Sequence, residues 1–453
     1  MNEKIEGFSK LTKLQKIQLL LSKLDLSDAQ TKIKEDLLKS FWHVDPATQK
    51  VIDEFTENAL SNFHLPFGII PNALINQKNY FVPMVIEESS VVAASARSFN
   101  FWYERGGIKA KILGRTKLGQ VHFKFFGDKF LLFEQFESLK PSWLEELKPI
   151  ISNMEKRGGG LKSLSLLDKT ELEADYFQLW AEFETCDAMG ANFINTVLEF
   201  LGKKITAHFA QSKVIMCILS NYTPDSRVLT EVSCTLKELN DPSFQMSGKD
   251  FAVKILEAIK ISKVDKYRAT THNKGIMNGI DAVVIATGND FRAVEACVHT
   301  YASRDGVYRG LSDATIDWNH QSIDDSIFTF KLEIPMALGT VGGLTALHPL
   351  AKLSLDILGR PSSDELMMIV ASVGLAQNFA ALRSLVTSGI QKGHMKMHLM
   401  NILNHYEASE DEVRLCKEYF ANEVISFNAV REFLTQLRNK HVEHQFISTE
   451  SRS

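Results

Sequence analysis

One segment, residues 270–295, has a lysine near its start and an aspartate near its end, two residue types that can stabilise charge during a reaction. Between Lys274 and Asp290 lies an apolar run, 281–288, which predicts a short buried strand. Because one strand and a turn separate the two side chains, both could reach one pocket. A lysine held beside a carboxylate stays protonated and can donate a hydrogen bond to a developing oxyanion. A structural salt bridge is the commoner role for such a pair and is the alternative.

Two adjacent glutamates, Glu87 and Glu88, precede a run of small and β-branched residues in the segment 86–95 (IEESSVVAAS). Close packing of that run would bury whichever glutamate faces inward. Burial raises the pKa of a carboxyl group, so that it can act as a general acid near neutral pH. The alternative, which the segment alone favours, is a surface pair at the start of a core helix.

Small residues follow Asp187 where a strand-like run ends and a helix begins, in the segment 184–202 (ETCDAMGANFINTVLEFLG). Gly190 and its small neighbours would let a phosphate approach the free N–H groups of the helix start, where the macrodipole favours an anion. The segment therefore suggests a pyrophosphate site. The alternative, again favoured by the segment alone, is a helix with Asp187 as its N-cap. Neither G-x-G-x-x-G nor a Walker A loop occurs, so a dinucleotide here would need a fold other than a standard Rossmann unit.

A pair of histidines, His394 and His398, has the i, i+4 spacing that places two side chains on one helix face. That spacing can bind zinc, but there is no H-E-x-x-H motif and no evident third ligand. Gly389 and Gly393 instead suggest a hinged, mobile segment that carries one histidine as a proton donor. For His398 a structural role is the default.

The elements that would position these residues divide the chain into a mostly helical part and a mixed part. Residues 8–63 have apolar spacings of three and four, which predict amphipathic helices. Residues 114–223 predict a compact α/β unit inserted into a larger helical domain. Within that unit, β-rich runs predict strands over 130–136 and 176–184, and a polar helix is predicted from Pro141.

Composition narrows the class of protein. The chain has 453 residues, 45% of them apolar and 23% charged, with a net charge of −4, which is ordinary globular composition. Near-neutral charge without basic aromatic runs argues against nucleic-acid binding. No signal peptide and no span of about 18 uncharged apolar residues is predicted. The five cysteines are scattered without a C-x-x-C pair, which suggests neither zinc nor disulfides. A soluble cytoplasmic protein is the simplest interpretation.

Taken together, these segments resemble, in order and spacing, the signature segments of 3-hydroxy-3-methylglutaryl-coenzyme A (HMG-CoA) reductases, and most closely those of the class II, bacterial-type branch. The resemblance runs from residue 57 to residue 398. The matching segments are ENALSNFHLPFG, EESSVVAAS, DAMGANFINT, YRATTHNKGIMNGIDAVVIATGND, GTVGGLTALHP and LAQNFAALRSLVTSGIQKGHMKMH.

The resemblance implies an α+β fold with three parts. A large, mainly helical domain for HMG-CoA binding and dimerisation would comprise residues 1–113 and 224–387. A small α/β nucleotide-binding domain would be inserted at 114–223. Residues 388–453 would form a mobile C-terminal helical flap.

The resemblance also implies an activity: two successive hydride transfers from NADH or NADPH would reduce HMG-CoA to mevalonate and free coenzyme A, or the reverse in mevalonate degradation. Glu88 would be the catalytic acid, and Lys274 would stabilise the oxyanion derived from the thioester. Asp290 would link the glutamate and the lysine. His394 would protonate the departing thiolate. No metal is implied, which removes the zinc interpretation of the histidines.

Binding roles follow from the same resemblance. Five residues would contact the dinucleotide: Asp187, Met189, Gly190, Asn192 and Asn221. Four would hold the HMG moiety: Ser90, Arg268, Asn278 and Gln377. The enzyme would be a cytoplasmic homodimer or an assembly of dimers with active sites at the interface, and it would bind neither nucleic acid nor membrane.

Two rival interpretations belong to other classes. A catalytically inactive homologue that binds coenzyme A or nucleotide is one, and the presence of all four catalytic residue types argues against it. A dehydrogenase of a different acyl-CoA is the other, and Arg268 discriminates because a substrate without a second carboxylate would leave it unpaired. The chain departs from the family pattern at Ser89, where proline is usual, and at Leu60–Ser61, where an Ile-Gly pair is usual.

Overall fold

The computed structural model describes residues 4–242, 246–319, 321–387, 399–421, 423 and 425–450, with side chains in the last helix as far as residue 439. Its helices are α1 (Lys13–Ser22), α2 (Asp28–Ser40), α3 (Pro46–Asp53), α4 (Val91–Tyr103), α5 (Lys129–Glu155), α6 (Ala191–His208), α7 (Gly248–Val264), α8 (Lys266–Ala286), α9 (Phe291–Tyr301), α10 (Leu344–Leu347), α11 (Pro349–Ile357), α12 (Ser363–Val386), α13 (399–405), α14 (Glu410–Tyr419) and α15 (Phe427–Glu450). Its strands are β1 (Phe67–Ile75), β2 (Lys78–Val85), β3 (Lys109–Ile112), β4 (Lys117–Phe125), β5 (Gly160–Asp168), β6 (Tyr176–Glu184), β7 (Ser212–Ser220), β8 (Arg227–Thr235), β9 (Ser312–Asp317) and β10 (Ile327–Pro335).

The order of the strands shows that the chain leaves one sheet after β3, forms a second sheet and returns to the first sheet at β8. β1 and β2 form an antiparallel hairpin, and one four-stranded sheet has the order β3-β8-β10-β9. Between β3 and β8 the chain builds a second antiparallel sheet with the order β5-β6-β4-β7. At the junction, Gly114 and Arg227 exchange two backbone hydrogen bonds, of 3.3 and 3.1 Å between N and O. The fold is therefore α+β, as predicted from the resemblance.

The segment between β3 and β8 has its own hydrophobic core. Alternate residues of β4, among them Val121 and Phe123, are fully buried against α5 and α6. The predicted strand over 130–136 is wrong, because these residues form the first turns of α5, which begins at Lys129. Its buried residues Leu132 and Phe136 are four apart, the spacing of one helix face. This core is separate from the main one, while the domain boundaries at 114 and 223 stay a prediction.

The main core surrounds α12, which packs against α8 and α4. Among the described residues, α12 is the helix long and apolar enough to cross a membrane, and 78% of its apolar window is buried inside the protein. A helix that is apolar on all sides is typical of the centre of a large core.

The segment 281–288 is not the strand that its apolar run predicts. It forms the last turns of α8 and the residues that follow. Ala282, Val283 and Val284 are all fully buried, so the run is apolar on every side of the helix. Periodicity alone cannot distinguish such a run from a buried strand.

Helices α13, α14 and α15 enclose a third small core around Cys416 and Phe420. These helices belong to the flap predicted over residues 388–453. Residues 388–398, which join them to α12 and contain His394 and His398, lie outside the described residues. The mobile flap stays a prediction.

Candidate active site

Three side chains from two elements meet at one point. The Lys274 ammonium donates a hydrogen bond to Glu88 Oε2 at 2.8 Å, and the Asn278 amide nitrogen lies 3.4 Å from the same oxygen. We call this group the Glu88–Lys274 cluster. Lys274 and Asn278 are one turn apart on α8, so their side chains lie on one face. The cluster therefore joins two residues that are far apart in the chain into one ion pair with a neutral hydrogen-bond donor beside it.

Glu88 reaches α8 because the chain turns sharply before α4. Ser90, the N-cap residue of α4, has φ +80°, in the left-handed region that non-glycine residues rarely occupy. Glu87 is exposed, so Glu88 is the member of the pair that faces α8. The side chain of Glu88 is nevertheless 37% exposed and that of Lys274 60% exposed. Of the two possibilities for this segment, the surface pair at the start of a core helix, which the segment alone favours, is the one observed, and the ion pair faces open solvent in the single chain.

Asp290 lies elsewhere. Its carboxylate accepts hydrogen bonds from the backbone of Arg292 and Ala293 and thereby caps α9. Lys274 and Ala286, the last residue of α8, are separated by about 18 Å along the helix axis. The structure does not bring Lys274 and Asp290 together within one chain.

Asp290 instead lines a cleft of about 790 Å³. The cleft is bounded by the start of α6, by the loop before α9 and by the segment 339–345. Met189, Gly190 and Asn192 contribute to its walls, as does Arg292, whose side chain is 80% exposed. Its size falls within the usual range for small-molecule sites.

The residues before α6 form a tight loop, 185–190. Gly190 has φ +93°, and a Cβ at this position would lie 2.4 Å from Thr185 Cγ2. No side chain caps the first N–H groups of α6, which open onto the cleft through Ala191 and Asn192. A helix start of this kind can accept phosphate oxygens. The residues present therefore fit a dinucleotide.

Asp187 ties this loop to its surroundings. Its backbone oxygen accepts a hydrogen bond from Thr340 N at 2.8 Å, and its carboxylate accepts one from Ser363 N, the first residue of α12, at 2.7 Å. The carboxylate is thus engaged within the protein. Asn221 faces a small neighbouring pocket that also includes Met189.

The predicted substrate-binding residues are dispersed around the Glu88–Lys274 cluster. Gln377 is buried on α12 and accepts a hydrogen bond from Ser95 of α4 at 2.6 Å. Arg268 lies on α8 about 9 Å along the helix axis from Lys274. Burial lowers the pKa of the Arg268 guanidinium. Asn278 and Ser90 are the two members of this set next to Glu88, by contact and by chain position respectively.

Two polar residues outside the predicted set lie at or beneath the walls of the cleft. Asn289 accepts a hydrogen bond from Gly339 N at 2.8 Å and joins two of the bounding loops. Lys117 lies beneath the 185–190 loop and is only 6% exposed. Lys117 shares strand parity with the buried Val121 and Phe123, so the alternation of β4 is the signal that identifies it.

The described residues contain no group of three histidine, cysteine, aspartate or glutamate side chains that could hold a metal ion.

Comparisons with known proteins agree on one family. A family model described as hydroxymethylglutaryl-coenzyme A reductase matches residues 18–399. A 3-hydroxy-3-methylglutaryl-coenzyme A reductase of Archaeoglobus fulgidus is 35% identical over 444 residues, which is 97% of this chain and 96% of the relative. A probable enzyme of the same name from Borreliella burgdorferi is 32% identical, over 96% of this chain and 98% of the relative. A solved structure of the class II enzyme from Streptococcus pneumoniae, bound to NADPH in open conformations, has a TM-score of 0.70 and 37% identity, and covers 94% of this chain and 100% of that one.

Proposed function

This chain belongs to the hydroxymethylglutaryl-coenzyme A reductase family, and from that membership we propose how its own residues carry out the reaction. It is a class II enzyme and an NAD(P)H-dependent oxidoreductase. One HMG-CoA, two NAD(P)H and two protons yield mevalonate, free coenzyme A and two NAD(P)⁺. The bound dinucleotide supplies each hydride. The catalytically inactive alternative has no support.

Lys274 stabilises the first intermediate. When the thioester carbonyl carbon gains a hydride, its oxygen becomes an oxyanion, and a fixed ammonium lowers the free energy of that charge. The observation that carries this proposal is the pair of Lys274 and Glu88 at 2.8 Å, because the carboxylate fixes the position of the ammonium. Asn278 donates a further neutral hydrogen bond at the same point.

Two groups supply protons. Collapse of the first intermediate breaks the carbon–sulfur bond and expels a thiolate, which would add back to the aldehyde unless it is protonated. His394 is proposed for that step, and it lies outside the described residues. The aldehyde then accepts the second hydride. Glu88 takes up one of the two protons that the reaction consumes and gives it to the new alkoxide, since its carboxyl lies beside the ammonium that holds this oxygen.

The dinucleotide is assigned to the cleft at the start of α6. Gly190 allows phosphates to approach the backbone N–H groups of the helix start, and Asn192 and Arg292 offer further donors on the cleft wall. Met189 and Asn221 lie behind the cleft. Asp187 acts on this site by holding the 185–190 loop to α12.

The active site is proposed to form between two copies of the chain. The Glu88–Lys274 cluster has a cation and an acid but faces open solvent, whereas the cleft has Asp290 and no partner for it other than Arg292 among the described side chains. A second copy could place its cleft over the cluster of the first and add its Asp290 to the ion pair. Large apolar side chains are exposed in the segment that resembles the family's dimerisation segment, among them Phe63 at 91%. Exposed apolar surface of this kind is typical of interfaces.

The direct test is a spectrophotometric assay of HMG-CoA with each reduced dinucleotide, followed by mevalonate plus coenzyme A with each oxidised one. Two equivalents of dinucleotide should be consumed for each coenzyme A released. Turnover of acetyl-CoA at the same rate would refute the proposed substrate, because Arg268 would then have no second carboxylate to bind.

A further inference from the structure

The ammonium of Lys117 is buried directly beneath the 185–190 loop. It donates hydrogen bonds to Thr185 Oγ1 and to Ala188 O, the latter at 2.8 Å, and among the described residues none goes to a carboxylate. A buried charge that has only neutral partners is costly, because two hydrogen bonds do not replace its hydration. A buried lysine of this kind does not stabilise the fold, so its presence indicates another role.

Among the described residues, the carboxylates that act on Lys117 do so without a hydrogen bond to its ammonium. The small pocket that it lines contains no other ionisable side chain. The titratable groups that act on it from neighbouring elements are Glu184 at the end of β6, Cys186 and Asp187 in the loop, and Asp364 at the start of α12. Asp187 is already bonded to Ser363 N, and burial keeps the Cys186 thiol neutral by raising its pKa.

The 185–190 loop, which lies above Lys117, forms one wall of the cleft. Ala188, whose oxygen accepts the Lys117 hydrogen bond, lines the cleft itself, as do Gly190 and the first residues of α6. The helix dipole and the buried ammonium therefore both direct positive charge towards the same place. A diphosphate is the part of a dinucleotide that such a field attracts.

We propose that Lys117 is a positioning residue for the dinucleotide, whose buried ammonium fixes the 185–190 loop from below and supplies the positive charge that the diphosphate meets at the start of α6. This inference rests on the proposed function of the cleft. The anion and the ammonium stabilise each other, so the dinucleotide should bind more tightly to the protonated lysine.

The sign of the pH dependence follows. Burial lowers the pKa of the Lys117 ammonium to about 8 in the free protein, and a bound anion would raise it again. Affinity should therefore be full below about pH 8 and should fall as the pH rises through that value. Each unit by which the anion raises the pKa corresponds to about a tenfold difference in affinity between the two protonation states.

Two substitutions separate charge from loop geometry. Lys117→Met keeps a long side chain and removes the charge, and Ala188 O keeps the hydrogen bond that it accepts from the Thr185 hydroxyl at 2.7 Å. Thr185→Val keeps the charge and removes that hydroxyl. Lys213→Met, at an exposed lysine on the neighbouring strand β7, is the matched control.

The experiment measures the Kd of NADPH and of NADH by fluorescence between about pH 6.5 and about pH 9.5. For Lys117→Met we expect a roughly tenfold higher Kd for both dinucleotides at neutral pH and loss of the pH dependence, with the Kd of HMG-CoA unchanged. Thr185→Val should keep the pH dependence, and Lys213→Met should match the wild type.

Three results would overturn the inference: an unchanged NADPH Kd in Lys117→Met, a pH dependence that survives in that variant, or a loss restricted to NADPH, which would place the charge at its extra phosphate. If the wild-type protein binds neither dinucleotide, the proposed function of the cleft fails as well. The two failures are therefore distinguishable.

Discussion

Two lysines distinguish the two regions of this molecule that are proposed to carry the chemistry. Lys274 in the Glu88–Lys274 cluster is 60% exposed and has a carboxylate at 2.8 Å, whereas Lys117 under the cleft is 6% exposed and donates to neutral oxygens. An exposed ion pair contributes only about 0–1 kcal/mol to stability. Burial of Lys117, by contrast, lowers the pKa of its ammonium to about 8, which is a cost to folding.

The difference shows what each region lacks. Water screens the charge of Lys274 until another surface covers it. Lys117 is already shielded from water, but among the described residues its ammonium donates no hydrogen bond to an anion. The cluster therefore depends on a covering surface, and the cleft depends on a ligand. The following experiments test this contrast, in order of expected effect.

The largest effect is expected for Lys274→Met. Loss of the ammonium should lower kcat roughly a thousandfold, since a preorganised donor to an oxyanion is worth several kcal/mol. The Kd of NADPH should change far less than kcat, because Lys274 is proposed to contact the thioester oxygen and not the dinucleotide. Lys266→Met, at an exposed lysine on the same helix, is the control and should retain activity. Normal turnover in Lys274→Met would refute the oxyanion role.

Complementation tests whether two chains share one site. Lys274→Met and Asp290→Asn should each be nearly inactive as pure proteins. When the two variants are co-expressed with different tags, random pairing should restore roughly a quarter of wild-type activity, because half of the dimers are mixed and each has one intact site. If activity stays at the level of the single variants, Lys274 and Asp290 do not act from different subunits.

A glycine pair probes the shape of the 185–190 loop. Gly190→Ala should raise the Kd of NADPH by about tenfold or more and should destabilise the fold by about 1–3 kcal/mol. Gly158→Ala is a close control, because Gly158 has the same φ of +93° but open space where the Cβ would lie, whereas Gly190 faces Thr185 Cγ2 at 2.4 Å. Equal effects of the two changes would mean that backbone strain alone, and not the contact with Thr185, is responsible.

The smallest effect on function is expected from an experiment on folding, which measures how the free energy of unfolding depends on pH. The pKa of Lys117 is lower in the folded protein than in the unfolded chain, so folding releases a proton between about pH 8 and about pH 10.5. Below that range Lys117→Met should be more stable than the wild type by about 3 kcal/mol, and the gap should close as the pH rises. Urea denaturation at several pH values measures this, with Lys213→Met as reference. A gap that is constant with pH would mean that the buried charge is not its cause.

The elements that could be predicted from sequence are those whose period is visible locally. β6 and α6 have clear alternation and clear helical spacing, and both were expected. The runs at 130–136 and 281–288 misled, because aromatic or continuous apolar residues suit a buried helix as well as a strand. Tertiary burial, which a single sequence does not display, decides between the two.

The candidate site shows the same division. Glu88 and Lys274 were predicted to share a site and are in contact, although 186 positions separate them. The strand and turn that were expected to bring Asp290 to them are instead part of one helix, α8, so the role of Asp290 stays a prediction. The local sequence pattern does not identify the surface that a second copy would cover. Lys117 could have been found from strand parity, since a lysine at an inward position is exceptional.

The two hydrogen bonds between Gly114 and Arg227 bear on the folding of this enzyme during synthesis and on its evolutionary origin. The segment between β3 and β8 begins and ends at adjacent points of the larger part of the chain. This segment, the cassette, could therefore be excised and the gap closed by a tight turn. During synthesis the cassette can complete its own core before β8 emerges from the ribosome. The part proposed to bind the dinucleotide could thus have been acquired in one step by a smaller ancestral protein.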